Sequence, residues 1–386
     1  MNLRRLRFHG SLLAACFAIA SPVFAEVIAV KPSDDLARIS ASAKPGDEIV
    51  LAPGVYGATT LTNIRGEAGK PITLRGPMGP NFAEFDAKDG PYALRLSQCT
   101  FVTIENLIMW DARDAALDVE TLGPKAEQIM LRNIGFGFRN STRDSIGIRV
   151  SGVRGLTIDK CRVNGVGGCG VHLQHVEQAI VSALDCHPRN RMQQQTGIVV
   201  GGPSKDVVIT RCVFRYGIKS ILSIGVRYDA AEIEESIPLV ERCTVTEVRA
   251  DASQCFLELG SVLGLSVKNC STLDAQGEIF TIILPPPGRP ALEGEIDHIL
   301  ATWSPGFLRR FGSIEAKASA EKLRLGSNLF FSAELPEAAK VLGTIPGTPT
   351  SPQIMNIDPK IDARGVATEP SARGYGVSDL GPSKPS

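Results

Sequence analysis

The chain has 386 residues, of which 43% are hydrophobic, and it carries 41 basic and 41 acidic side chains. Because these charges balance, the chain is not a typical nucleic-acid-binding protein, which would be strongly basic. No stretch beyond the N-terminal segment is long and apolar enough to span a bilayer. The length exceeds that of a typical globular domain, but one continuous solenoid can accommodate it without a second core.

The first 25 residues have the pattern of a secretory signal peptide. Arg4–Arg7 supplies a basic start, Leu12–Ile19 an apolar stretch and Val23–Ala25 a small-residue cleavage site. Its removal takes away three arginines and no acid, which leaves a formal charge of −3. Leu13–Cys16 also permits lipid anchoring at Cys16, although the apolar stretch before it is short. The sequence therefore predicts export to the periplasm or the extracellular space, with anchoring as the less favoured alternative.

The next segment predicts a cap followed by strands. Ser33–Asp35 can cap a short helix that places Leu36 and Ile39 on one face. A helix here would cover the open end of a solenoid, because a terminal repeat needs a solvent-tolerant surface. Strands are then predicted within Gly46–Tyr56 and Pro71–Pro77, each next to a Pro or Gly turn.

A short phrase recurs along the chain, in which β-forming residues alternate with polar ones before a turn-forming or small residue. Its copies are Val102–Leu107, Ile129–Ile134, Leu156–Cys161, Val207–Cys212, Pro238–Cys243, Leu265–Cys270 and Leu323–Asn328. Repeats of this length mark solenoids, and the period of two indicates strands. The sequence therefore predicts an all-β fold, a right-handed parallel β-helix with an N-terminal capping helix.

The predicted organisation is a signal peptide at 1–25, a β-helix domain at 26–342 and a tail at 343–386. Pro285–Gly288 interrupts the coils, since proline cannot donate to a sheet ladder. Ile296–Ser327 is expected to hold two last coils and Glu334–Leu342 a short helix. The tail is rich in Pro, Gly and Ser and is expected to be irregular chain packed along the rod, with a disordered end at Gly381–Ser386.

Eight of the nine cysteines remain once Cys16 has left with the signal. Four of them occupy the same place in the repeated phrase: Cys161, Cys212, Cys243 and Cys270. Coils stack about 4.8 Å apart, so the four are expected to form an inward column of packed thiols. The same spacing leaves disulfides between consecutive coils open as an alternative. No Cys/His spacing resembles a structural zinc site.

Leu36–Gly76 resembles the opening of the secreted β-helix polysaccharide lyases of the chondroitinase B and alginate lyase family. The shared features are the capping helix, a Pro-Gly-Asp turn, a Gly-x-Tyr turn and a Lys-Pro-Ile-Thr-Leu-Arg strand. The resemblance implies the β-helix fold and lyase chemistry with a Lys base, an Arg partner and acidic calcium ligands. Those catalytic signatures are absent from the later coils, where Asp251–Ser261 lacks the acidic pattern, so no catalytic residue is assigned from the family. The motif of the mannuronan epimerases is absent too.

A second strand in each coil has an apolar–x–apolar core whose middle residue is predicted to point outward. The resulting column is Asp118, Arg149, His172, Val199, Ser223 and Glu258. Its first three members place an acid, a guanidinium and an imidazole side by side on consecutive coils. These three are the predicted catalytic residues. Lyase chemistry needs a cation to neutralise the uronate carboxylate and a base to take the proton alpha to it, and Arg149 with His172, or with a loop Arg or Lys, would divide these two roles.

Loops just ahead of these strands add further cations that are predicted to bind substrate. They are Arg113, Arg143, His187, Arg189, Arg191, Arg215 and Lys219. An arginine fork binds carboxylate or sulfate in a bidentate manner. The sequence therefore predicts an acidic polysaccharide as the partner of a monomeric protein that acts by β-elimination.

Several alternatives stay open at this level. The column can equally be an ordinary solvated face in which Asp118 and Arg149 form a cross-strand ion pair. The protein would then be a non-catalytic glycan-binding or structural β-helix. Glycoside hydrolysis or uronate epimerisation is a third candidate activity, and a hydrolase would need two facing carboxylates. The sequence identifies no cofactor with certainty; calcium is possible, with Asp111, Asp114 and Asp144 as weak candidates for its ligands.

Overall fold

The computed structural model describes residues 25–121, 125–139, 144–187, 194–215, 218–226, 239–283, 290–304, 306, 312–315, 318–332, 353–355, 357–362, 364 and 366–378. The chain is a parallel β-solenoid of about nine turns, which confirms the predicted β-helix. Parallel crossovers of this kind are right-handed. The signal peptide, the helix predicted at Glu334–Leu342 and the proline-rich interruption at Pro285–Gly288 lie outside the described residues.

Each coil contributes one strand to a ten-stranded parallel sheet, here called the front sheet. Its strands are β4 (Thr59–Thr62), β7 (Tyr92–Ser97), β9 (Ala115–Glu120), β11 (Ile146–Ser151), β14 (Cys169–Gln174), β17 (Gln194–Gly201), β20 (Ile218–Ile224), β23 (Cys255–Leu259), β26 (Glu278–Ile282) and β29 (Gly312–Ile314).

The other strands form one 22-stranded sheet that is bent along its length into two arms. The first arm contains β1 (Val27–Val30), β2 (Glu48–Leu51), β5 (Ile72–Arg75), β8 (Val102–Trp110), β10 (Ala126–Gly137), β12 (Val153–Asp159), β15 (Glu177–Ser182), β18 (Ser204–Thr210), β21 (Val240–Thr246), β24 (Val262–Lys268), β27 (Glu293–Asp297) and β30 (Lys322–Leu325). The second arm contains β3 (Gly54–Gly57), β6 (Ala83–Asp86), β13 (Arg162–Asn164), β16 (Asp185–His187), β19 (Val213–Phe214), β22 (Arg249–Asp251), β25 (Ser271–Ala275), β28 (Leu300–Trp303), β31 (Ser327–Phe331) and β32 (Gln353–Met355), and β8 and β10 pass through both arms.

In eight consecutive coils, one left-handed residue forms the corner between the two arms. These corner residues are Asn106, Asn133, Lys160, Ala183, Arg211, Glu247, Asn269 and His298, with φ between 51° and 58°. A residue other than glycine seldom adopts this conformation, and asparagine does so most readily. The repeated phrase is therefore the end of a first-arm strand together with its corner.

The predicted capping helix is confirmed as α1 (Leu36–Ala41). The Asp35 side chain caps it by accepting a hydrogen bond of 3.0 Å from the backbone N–H of Arg38. The helix contacts β4, the first strand of the front sheet, and buries Leu36. Within the described residues, no helix has the length and hydropathy needed to cross a bilayer.

The predicted column of four cysteines is correct for three members and wrong for the fourth. Cys161, Cys212 and Cys270 each follow a corner residue directly. Cys243 instead pairs in register with Val207 and Leu265 on the first arm. The reason is that Arg242, which precedes Cys243, is a second left-handed residue earlier in the coil, with φ 56°. Left-handed turns of similar local sequence therefore occur at two places in a coil, one within the first arm and one at the corner.

All eight cysteines from Cys99 onward are free thiols, and seven of them are buried. Burial raises the pKa of Cys161 and of Cys212 to about 12. Because only the thiolate reacts rapidly with disulfide reagents, we expect at most Cys255, the partly exposed thiol, to react at pH 8 in the folded protein. All thiols should react in guanidinium chloride. Rapid reaction of several thiols in the native state would contradict this packing.

Candidate functional site

The front sheet aligns the predicted column in the register expected from the sequence. Arg149 pairs with Asp118 on one side and with His172 on the other. The full column, here called the front column, is Thr60, Arg95, Asp118, Arg149, His172, Val199, Ser223, Glu258, Thr281 and Ser313. Neighbouring members are about 4.8 Å apart along the rod.

Asp118 is held between two arginines. Nε of Arg149 donates a hydrogen bond of 2.9 Å to its Oδ1, and Nε of Arg95 lies 3.4 Å from its Oδ2. Arg95 also donates to Glu120 and has its guanidinium carbon 5.4 Å from the centre of the Tyr92 ring. The predicted ion pair between Asp118 and Arg149 is thus present, and Arg95 extends it by one coil. Arg95 carries the same signal as the others, because Leu94-Arg95-Leu96 is also an apolar–x–apolar core.

Four of the six predicted column members are buried, so the alternative of an ordinary solvated face does not hold for them. The exposed fraction is 2% for Asp118 and 3% for His172, and Val199 and Ser223 are also buried. Arg149 is the accessible member of the predicted catalytic group, with 37% of its side chain exposed. Asp118 is buried in part because Arg95 and Arg149 cover its carboxylate from two sides. Replacing His172 will therefore cost more stability than replacing a surface residue.

A break in the inward–outward alternation beside the column adds an apolar patch to the outer face of the front sheet. In β9, Ala116 and Leu117 both belong to the interior core, so the alternation of the strand is broken there. The residues before this break form a separate buried cluster with Val199: Ala115, Ile146 and Cys169. The outer face is therefore apolar on one side of Arg149 and charged on the other. The sequence signal is the row of small residues at the break, such as Gly147 and Gly197.

The loop residues predicted to bind substrate are placed in different surroundings. Arg113 is exposed and its Nε lies 3.1 Å from Oδ1 of Asp114. Lys219 is exposed near the start of β20. Three others lie outside the described residues: Arg143, Arg189 and Arg191. His187 and Arg215 do not join the front column, because both lie beside Asp185 on the second arm.

Asp185 is surrounded by three basic side chains on the outer face of the second arm. Its carboxylate lies 3.2 Å from Nε of Arg215, 3.5 Å from Nδ1 of His187 and 3.8 Å from Nε of Arg162. Burial would raise the pKa of Asp185, but the hydrogen bonds to His187 and Arg215 outweigh it and hold the pKa below the ordinary value. Sequence reasoning did not single out Asp185 as a binding residue, because it lies on a different strand from the predicted column.

This lowered pKa predicts how stability depends on pH. A carboxyl group with a depressed pKa in the folded state stabilises the protein above its unfolded pKa of about 3.9 and loses that contribution as the pH falls. We expect Asp185→Asn to lower the free energy of unfolding by about 1–3 kcal/mol at pH 7. The difference from wild type should shrink between about pH 5 and pH 2. Urea denaturation across this range measures it, with exposed Asp89→Asn as the control; a difference that stays constant with pH contradicts the assignment.

The three aspartates considered for calcium do not form a ligand cluster. The Asp111 carboxylate accepts hydrogen bonds from the backbone N–H and from Nε of Arg139, both at 2.5 Å. Asp114 contacts Arg113, and Asp144 is exposed. Within the described part of the chain, no three His, Cys, Asp or Glu side chains are grouped so that they can share a metal ion. The weak calcium candidates are therefore not brought together.

Two glutamates lie further along the outer face of the front sheet. Oγ of Ser220 donates to Glu258, and Oγ of Ser313 donates to Glu278. Glu258 belongs to the predicted column, but Glu278 pairs in register with Cys255 in the neighbouring column. Both carboxylates are therefore fixed by serine hydroxyls from neighbouring strands.

Comparison with solved structures gives the same architecture. A rhamnogalacturonan lyase matches with a TM-score of 0.52 and 12% identity, over 79% of this chain and 87% of its own. XylC, solved in complex with xylose, matches with a TM-score of 0.51 and 8% identity, over 88% of this chain and 87% of its own. The likeness is one of fold. An alginate lyase from Paenibacillus sp. str. FPU-7 covers 78% of this chain and 99% of its own, at 13% identity and a TM-score of 0.45.

The two comparisons based on sequence find no match: no model of a known protein family matches the chain, and no curated protein does. The two structures with a TM-score above 0.5 are therefore distant relatives in sequence, and they establish the parallel β-helix rather than a reaction.

Proposed function

We propose that this protein acts on an acidic polysaccharide bound along the outer face of the front sheet, and that it cleaves the chain by β-elimination. The observation that carries the proposal is the placement of Arg149. Its side chain is 37% exposed, is fixed by a hydrogen bond to Asp118, and lies in register with His172 on the next coil. The lyase fold of the neighbours and the predicted export both support a substrate outside the cell.

Each residue has a defined role in this reaction. Arg149 binds the uronate carboxylate and neutralises the charge that develops when the adjacent C–H bond breaks. His172 is the nearest imidazole in the column and takes that proton as general base. The electron pair of the C–H bond forms the new double bond, the glycosidic C–O bond breaks, and the leaving oxygen acquires a proton from solvent. Asp118 positions Arg149 rather than touching the substrate.

A second candidate is binding without cleavage, and one observation favours it. His172 is only 3% exposed, whereas the two arginines of the column reach solvent. A face with accessible cations and a covered imidazole can retain an anionic glycan without removing a proton. Hydrolysis receives less support, because both oxygens of Asp118 are engaged by arginines and it is poorly placed to act as one of two facing carboxylates.

The deciding experiment is the ultraviolet absorbance of unsaturated uronate after the purified protein is mixed with alginate, pectate, chondroitin or heparan sulfate, with and without calcium. Wild-type protein should give a rising trace on one substrate, and His172→Gln, which nearly preserves the side-chain volume, should abolish it. If the wild-type trace stays flat on every substrate while the protein still binds one of them, the binding function replaces the lyase function.

A further inference from the structure

A groove of about 570 Å³ lies over the corner between the two arms, on another side of the rod from the front column. Four consecutive corner residues line it: Asn106, Asn133, Lys160 and Ala183. Four coils span about 14 Å at the spacing of parallel strands. The groove therefore extends along the rod axis and is long enough to hold several units of a linear polymer.

The floor of the groove is open because one of its residues, Gly135, has no side chain. Gly135 pairs in register with Ile108 on one side and with Arg162 on the other, and all three line the groove. A Cβ atom at Gly135 would meet no atom closer than 3.8 Å, which is ordinary contact with Ile108. Packing therefore does not require the glycine, and its effect is to leave a notch between the apolar Ile108 and the cationic Arg162.

The wall of the groove carries exposed apolar side chains. Met78 is 87% exposed and Phe82 is 43% exposed. Five large hydrophobic side chains are exposed in the described part of the chain, and these two both line this groove. An aromatic ring held in solvent offers a flat apolar face against which a ligand ring can pack.

The remaining lining groups are polar and include an available cation. Nδ2 of Asn133 donates to Oδ1 of Asn106 at 2.8 Å, which is the one side-chain hydrogen bond either amide makes among the described residues. Each amide therefore keeps a donor and an acceptor for a ligand. Lys160 is exposed and takes part in none of the ion pairs formed by the described residues. Arg162, 3.8 Å from Asp185, completes the set.

We propose that this corner groove is a second binding site for the acidic polysaccharide. A sugar ring packs on Phe82, hydroxyl groups bind the Asn106–Asn133 amide pair, and a carboxylate or sulfate pairs with Lys160. Pockets that recognise ligands combine an apolar wall with a few convergent polar groups, as this groove does. The inference rests on the substrate class of the proposed function but not on its chemistry. Its consequence is that one polymer chain can be held on two sides of the rod, which raises retention through effective concentration.

The test is affinity electrophoresis through gels that contain alginate, pectate, chondroitin or heparan sulfate. Three variants are compared with wild type: Phe82→Ala, Lys160→Ala and Arg149→Ala. Matched controls are Val55→Ala, which removes another exposed apolar side chain, and Lys70→Ala, which removes another exposed cation. We expect Phe82→Ala and Lys160→Ala each to weaken retention by roughly three- to tenfold, with turnover per bound chain unchanged.

The outcomes separate the two proposals. If both groove variants migrate like wild type while Arg149→Ala loses retention, the groove inference is overturned and the proposed function stands. If the groove variants lose retention and Arg149→Ala does not, the groove inference stands and the front-column site is wrong. If wild type is retarded in none of the four gels, the substrate class fails and both proposals fall with it.

Discussion

Arg149→Ala is expected to lower the turnover of the acidic polysaccharide by at least about a hundredfold, as removal of a group that stabilises developing charge commonly does. Arg149→Lys should recover only part of the activity, because lysine keeps the charge but loses the planar fork. The measurement is the initial rate of absorbance increase on the substrate cleaved by wild type. Arg132→Ala is the matched control: Arg132 is a half-exposed arginine on the first arm, with a terminal nitrogen 3.9 Å from Glu105.

A stability measurement must accompany this comparison, because Arg149 also covers a buried carboxylate. Removing it leaves Asp118 with Arg95 as its remaining ion-pair partner among the described residues, at 3.4 Å. We expect the free energy of unfolding to fall by about 1–3 kcal/mol, so assays should be run on protein shown to be folded by circular dichroism. Activity within twofold of wild type in folded Arg149→Ala would exclude the proposed role of this residue.

Phe214→Ala is expected to destabilise the β-helix by about 3–5 kcal/mol. Phe214 is fully buried in β19, and its ring lies against the front sheet, where a Cβ on Gly197 would come within 2.5 Å of Cε1. The ring thus fills the space that the absent side chain of Gly197 leaves. Urea denaturation followed by circular dichroism measures the loss directly.

The neighbouring residue provides the control for this prediction. Val213 lies in the same strand and points outward, so Val213→Ala should cost far less than Phe214→Ala. Phe214→Leu, which keeps much of the volume, should cost less than about 2 kcal/mol. A loss below about 1 kcal/mol for Phe214→Ala would mean that the core can close over the cavity, contrary to the tight packing described here.

The fold and the register of the site were accessible from the sequence because both depend on local alternation. The apolar–x–apolar cores around Asp118, Arg149 and His172 fix which side chains point outward, and parallel stacking then fixes which of them are neighbours. The same logic failed at Cys243, because a coil contains two left-handed turns followed by an apolar residue. Local sequence alone does not tell one turn from the other.

Burial and side-chain partners were less accessible because they depend on packing between coils. Alternation predicts that His172 points out of the sheet, but it does not predict that the side chain is covered there. Arg215 and His187 were grouped with the front column by their position in the chain, and instead they contact Asp185 on the second arm. The corner groove is not predictable from local sequence, because Phe82 and Asn133 are about 50 residues apart in the chain and meet only through the stacking of coils.

The segment after the last described strand, β32, adds a further consequence. Gln353–Met355 pairs with β31, and the following segment lies against the second arm. There the backbone N–H of Val377 donates to Oγ of Ser271 at 3.0 Å, and Ala367 and Ala372 pack with Leu273, Leu300 and Leu329. The segment thus covers an apolar strip on the last coils. Removing it would expose these leucines to solvent, and such a patch favours association between protein molecules.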